Sequence, residues 1–183
     1  MTPSPIRSLD EQRKEFSQDR LLAMPIAGTI AWAIIGIASN FVSTMLAAWI
    51  LFICTGSIFG LGLLVARFTG EDLLGKTRVN EFDKLFFQTV LMSWLVFAIA
   101  IPFFMIEPTS LPLSVGVLAG LMWLPLSWII QHWIGQFHAF ARTFLVTAAW
   151  FVFPDLRFVV IPAIIVVIYL ITIYVLIKRP RPQ

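Results

Sequence analysis

The chain has 183 residues, of which 59% are hydrophobic and 13% charged, with a formal net charge of +3 and a mean hydropathy of +0.90. Soluble domains are roughly half apolar and a quarter charged, and a core of this size cannot hide 17 Phe and 7 Trp, so a water-soluble globule is excluded. The lipid bilayer is the expected partner. Nucleic acid is not, because the basic residues are scattered between apolar runs and form no block with interleaved aromatics. Cys54 is the single cysteine, which excludes an intramolecular disulfide and reads as a small packing residue.

Residues 1–20 form a charged segment expected on the cytoplasmic side. It mixes Asp10, Glu11, Glu15 and Asp19 with basic residues, unlike a secretory signal. Ser8-Leu9-Asp10-Glu11 matches a capping box, so a short helix is expected to start at Leu9 and lie along the surface or feed into the first membrane helix. A helix needs about twenty apolar residues to cross the hydrocarbon. The apolar runs divide accordingly into six expected helices: 21–38, 41–66, 85–106, 111–134, 137–153 and 156–177, with Arg142 and Arg157 near the starts of the last two. Ser39-Asn40, the Glu107-Pro108-Thr109-Ser110 turn, Gly135 and Pro154-Asp155 supply the breaks. Residues 178–183 form a short tail. The expected fold is therefore all-α, a six-helix transmembrane bundle spanning 21–177 with a short N-terminal cytoplasmic or interfacial helix.

Positive charge orients this arrangement, since Lys and Arg in short loops stay on the cytoplasmic side. Arg7, Arg13, Lys14 and Arg20, then Arg67, Lys76, Arg78 and Lys84, then Arg142 at the start of helix five, then Lys178, Arg179 and Arg181 all sort to one side. Only Arg157, of the 13 basic residues, falls on the other. Both termini are expected to be cytoplasmic. Arg157 is expected to pair with Glu107 or Asp155 on the far face.

Gly56-x-x-x-Gly60, Gly116-x-x-x-Gly120 and the pair Gly28 and Gly36 around Trp32 put small residues on helix faces where another backbone can approach. Packing within the bundle outweighs a homo-oligomer face as their explanation. Pro125 is the interior proline expected to kink its helix. Thr143, Thr147 and Trp150 form a stripe read as interhelical packing.

The chemistry-bearing cluster is Gln131, His132, His138 and Arg142, across the end of helix four and the start of helix five, with Gln88 at the same level on helix three. As a site it makes a polar vestibule, with Arg142 as a permanent cation for an anionic or carbonyl group and a histidine titrating near neutrality. The plainer reading has Arg142 snorkelling to the interface and both histidines in an aromatic belt with Trp128 and Trp133. No metal-spaced Cys/His set, phosphate loop, nucleophile elbow or intramembrane carboxylate occurs, so no metal, cofactor or enzymatic activity is expected, and an ion-coupled pump is disfavoured.

Met122-Trp123-Leu124-Pro125 through Trp128, then His138, Arg142-Thr143, Trp150, Phe153-Pro154 and Pro162, resembles a family of small bacterial polytopic membrane proteins of unknown function. The resemblance implies a bacterial inner-membrane location and carries over no site residue. The leading expectation is a non-enzymatic membrane protein acting in assembly or regulation. The alternative is a small-solute transporter or channel using the polar cluster.

Overall fold

The computed structural model describes residues 7–74 and 80–181, so Lys76 and Arg78 of the charge argument lie outside the described residues. Among the described residues it contains α-helices and short 3₁₀ turns with no strand. Three continuous helical stretches, Glu81–Ile106, Pro108–Ile129 and Pro154–Lys178, are long and apolar enough to cross a membrane. The number rises to five if each of two bent helix pairs is one span.

Helix α1 (Leu9–Gln18) begins at the predicted capping box: the Ser8 side chain accepts from the Glu11 backbone N–H, and the Glu11 carboxylate accepts from the Ser8 N–H at 2.8 Å. Two bonds to the carboxylate hold it below the usual range for Glu. Helix α2 (Ala23–Ala38) leaves α1 at 50°, after Leu21 in left-handed backbone at φ 57°. Its first amides find an acceptor far along the chain, since Leu22 and Ala23 donate to the Glu71 carboxylate at 2.8 and 3.2 Å. The run predicted as one helix over 41–66 is two: α3 (Thr44–Gly56) and α4 (Ile58–Thr69) meet at Ser57 with a 49° bend. Helix α5 (Glu81–Leu95) starts at Asn80, whose side chain accepts from the Phe82 N–H, and is followed after Val96 by α6 (Phe97–Ile106).

The predicted helix over 111–134 is interrupted and shorter. Helix α7 (Leu111–Leu118) passes into a 3₁₀ turn, Ala119–Met122, before α8 (Trp123–Ile129). Pro125 cannot donate to the carbonyl of residue 121 and its ring crowds that carbonyl, which puts the irregular turn where the expected kink falls. Gln131, at φ 50°, then ends α8, and Ser127 Oγ donates to the His132 carbonyl. Helix α9 (Ile134–Val152) starts earlier than expected, so Gly135 is inside it and not a break. Gly135 is instead a packing residue: a Cβ there would overlap the Trp123 carbonyl and stand 3.0 Å from Ser127 Cα. Helix α10 (Arg157–Lys178) completes the chain.

Two ends of the bundle are defined by contacts. At one, Asn80 Nδ2 donates to the Gln12 carbonyl at 2.7 Å, Arg13 lies over the Trp128 ring at 4.6 Å, and Arg179 donates to the Ser17 and Asp19 carbonyls at 2.8 and 2.9 Å. Burial, with the charge of Arg181 beside it, lowers the Arg179 pKa from its ordinary value. At the other end, Arg157 does not form the expected bond to Glu107 or Asp155. It donates to Thr109 Oγ1 and the Trp150 carbonyl and lies 3.9 Å over the Trp150 ring, which leaves the Glu107 carboxylate to accept from Thr109.

The core between these ends is Trp32, Ile35, Leu111, Val146, Ile161 and Ile165, all fully buried. Helix α2 lies on α10 through its glycines, where a Cβ at Gly28 would reach 2.5 Å from the Tyr169 ring and one at Gly36 would stand 3.1 Å from Pro162. Ile37, Phe68, Phe103, Ile106, Phe144 and Phe151 face outward. Such a surface is disfavoured in water and matched by lipid tails.

Gly56 and Gly60 differ from the other expected packing glycines: nothing stands within 4 Å of where their Cβ atoms would be. Gly135→Ala should therefore destabilise the purified protein by about 1–3 kcal/mol through a backbone clash that cannot relax, while Gly60→Ala changes stability by less than about 0.5 kcal/mol. Thermal unfolding of both variants in micelles checks this contrast, and equal melting of the two would contradict the packing.

Candidate functional site: a buried arginine among broken helices

Arg142 lies eight residues into α9, about 12 Å along the axis at 1.5 Å per residue, in the interior of the helix. It is 1% exposed. Its place as a cytoplasmic flank, expected from the charge pattern, is thereby corrected, and so is the snorkelling alternative. Glycines at 116 and 120 make the space: Arg142 Nε donates to the Gly116 carbonyl, and a Cβ at Gly120 would stand 2.8 Å from Arg142 Cδ. Nη1 donates to the Tyr169 hydroxyl at 3.3 Å. The guanidinium also lies 5.2 Å from the Trp32 ring centroid and 5.6 Å from that of Tyr169, within cation–π range.

Among the described residues no carboxylate joins this set. A guanidinium has five N–H donors, and protein acceptors take two of them. The indole Nε1 of Trp32 is also buried without a partner. Both residues line one pocket of about 50 Å³, with Tyr169, Trp123, Ala119 and Met24 among its walls. The pocket is thus rich in donors. Of its three hydroxyls, those of Thr55 and Ser93 donate back to their own helices, to the Leu51 and Val90 carbonyls at 2.7 and 2.6 Å, and that of Tyr169 accepts from Arg142.

His138, one turn before Arg142 on α9, is fully buried, stacked on Trp123 with centroids 4.2 Å apart and edge-on to Tyr169 at 4.7 Å. Its Nδ1 lies 2.9 Å from Thr172 Oγ1, and that hydroxyl donates to the Ile168 carbonyl at 2.8 Å. A hydroxyl has one proton, so Nδ1 must carry the proton of the imidazole and Nε2 is the bare acceptor, buried and unpartnered.

The other residues of the expected cluster do not join this pair. Gln131 is exposed and its amide donates to the Trp128 carbonyl, closing the turn. His132 lies in the same turn, its Nδ1 accepting from the Ile134 N–H at 3.3 Å, and burial with the charge of Arg179 lowers its pKa from the ordinary value. Gln88 is exposed on α5. The α8–α9 turn separates them because Arg142 and His138 face the bundle interior while Gln131 and His132 belong to its end. Trp32, Trp123, Tyr169 and Thr172 were missed as site residues. Tyr169, one of two tyrosines in the chain and set in an aliphatic run, carried the one signal that could have found it.

Fold and site together define an all-helical protein, with helices of membrane-crossing length, built around a buried cation that no carboxylate of the described residues pairs with. A family model, Family of unknown function (DUF7010), matches residues 9–179, and the chain belongs to that family. No curated protein and no solved structure matches it.

With two histidines in the chain, selective ¹⁵N labelling resolves His138, whose spectrum should show the proton on Nδ1. Thr172→Val leaves that buried donor without its acceptor and should cost about 1–3 kcal/mol of stability in thermal unfolding. A proton on Nε2 in the unaltered protein would refute the assignment.

Proposed function

We propose that this is a non-enzymatic integral protein of a bacterial inner membrane that crosses the bilayer six times, with both termini cytoplasmic, and binds a small oxyanion within the bundle as a solute carrier or conduit. The observation that carries the binding role is the buried cation at the pocket wall: Arg142 and Trp32 both line it, Trp32 Nε1 has no partner, protein acceptors take two of the five Arg142 donors, and among the described residues no acid neutralises the cation. A buried charge without a partner costs several kcal/mol, and an anionic ligand recovers that cost. Ionisable groups at membrane depth are functional candidates for this reason.

Helix breaks support the same reading. The Ser57 bend, the Val96 break and the Ala119–Met122 turn all fall near the middle of their stretches, and the pocket is lined from all three regions by Ile58, Phe97 and Ala119. Interrupted helices at mid-depth are the usual setting of solute sites in carriers.

For the crossing count, α9 is the element that hydropathy alone passes over. At 19 residues it reaches about 28 Å, and its polar His138 and Arg142 point inward, leaving Phe140, Phe144 and Phe151 to the outside. With α2, the α3–α4 pair and the three continuous stretches, that makes six. The contacts of Arg179 with Ser17 and Asp19 are consistent with both termini on one side, and the location is the one implied by the family resemblance. Open faces at Gly56 and Gly60 favour a second reading, in which this surface meets another membrane protein in an assembly role.

Small carboxylates at a hundredfold excess over Kd should stabilise the purified protein by about 2.7 kcal/mol, and Arg142→Gln should abolish that gain while Gln131→Ala keeps it. Failure of every small anion to shift the melting curve would remove the binding role. A cytoplasm-active reporter fused to the C-terminus should be active, and activity of a periplasmic reporter there would overturn the topology.

A further inference from the structure

The pocket has a side door. Helices α3 and α4 meet α5 and α6 through aromatic side chains and not through extended backbone packing. Phe59 touches Phe87 at 6.2 Å between centroids, and Phe52 touches Phe97 at 5.8 Å and Phe104 at 5.2 Å. Between the first two of these contacts along the chain, Thr55 and Ile58 of the α3–α4 pair and Ser93 and Trp94 of α5 line the pocket. Trp94 is 52% exposed although it lines the same pocket as the fully buried Trp32. All four residues lie near the middle of their helical stretches, so an opening between them faces the lipid tails and neither aqueous face.

We infer that the ligand is a lipophilic carboxylate, an acid with a hydrocarbon chain, which enters sideways from the bilayer and places its carboxylate on Arg142 and Trp32. This rests on the anion-binding reading above and adds the ligand's class and route. Three observations choose it. The volume of about 50 Å³ holds a carboxylate, the equivalent of a few waters at roughly 10–15 Å³ each. An anion neutralises the Arg142 guanidinium, whereas a neutral alcohol or ester leaves its charge without compensation. On that side the pocket is lined by Ile58, Trp94 and Phe97, with the Thr55 and Ser93 hydroxyl protons already donated to their own helices, which suits a hydrocarbon tail that stays in the membrane.

The full chain in micelles, titrated with decanoate, methyl decanoate and acetate at a pH where both acids are ionised, tests this by tryptophan fluorescence and thermal shift. Decanoate should bind roughly tenfold or more tightly than either the ester or acetate. Arg142→Gln should remove the preference for acid over ester. Ser93→Trp, which crowds the α5 side of the pocket without altering Arg142, should weaken decanoate roughly tenfold more than acetate, and it decides the matter if the arginine variant fails to fold. Acetate binding as tightly as decanoate, or decanoate binding undiminished by Ser93→Trp, overturns the lateral route and the lipophilic class while the anion site stands. Absence of binding by both acids overturns both.

Discussion

A guanidinium in the middle of a membrane-length bundle must be either compensated or held open for something that compensates it. Arg142 is half compensated: the Gly116 carbonyl and the Tyr169 hydroxyl take two donors, the rings of Trp32 and Tyr169 offer their faces, and no carboxylate of the described residues closes the set. Much of the packing follows from fitting this group. Gly120 lies where any Cβ would strike the arginine stem, and Gly28 lies where a Cβ would strike the Tyr169 ring that the arginine leans on. Tyr169 and Trp123 in turn enclose His138, whose link to Thr172 ties α9 to α10. The glycines are therefore the space in which a polar cluster is built, as well as contacts between helices.

The broken helices serve the same constraint. An unbroken α7 to α8 would continue past Arg142 as a smooth surface, whereas the 3₁₀ turn at Ala119–Met122 brings Gly120 against the arginine and puts Ala119 and Met122 on the pocket wall. Pro125 supplies the cause, since the backbone before it cannot keep a regular helical ladder. Irregular backbone at this depth is tolerated because it is buried in protein or lines a cavity. Meanwhile the polar ends fasten the bundle by means that leave the middle undisturbed: Glu71 caps α2 from 49 residues away, Asn80 ties α5 to α1, and Arg179 holds the end of α1.

Much of this was legible before the structure. Apolar runs and charge breaks mark the helical stretches because desolvating a charge in lipid is costly, and Ser8-Leu9-Asp10-Glu11 marks its helix start because capping is a local interaction. Gly28, Gly36, Gly116 and Gly120 were legible as packing residues, whereas Arg142 and His138 were singled out without their place in the core. Gln131 and His132 were grouped with Arg142 because they are near in sequence, yet a left-handed turn at Gln131 turns them to the end of the bundle. Arg142 was counted with the flanking basic residues because hydropathy treats any charge as a boundary. Buried polar side chains defeat that assumption, and the same lowering of hydropathy is why α9 is passed over by composition.

What the sequence by itself determined is the class of environment and the positions of the helices, since both follow from transfer free energies and local backbone preferences that depend on neighbours along the chain. What only the tertiary structure decided is which polar groups share one space. Trp32, Gly116, Arg142 and Tyr169 come from four different helices, and their meeting depends on helix rotation and close approach, which no local pattern encodes. The unpartnered donors are likewise visible only there, because a missing acceptor is a property of the packed surroundings and not of the residue.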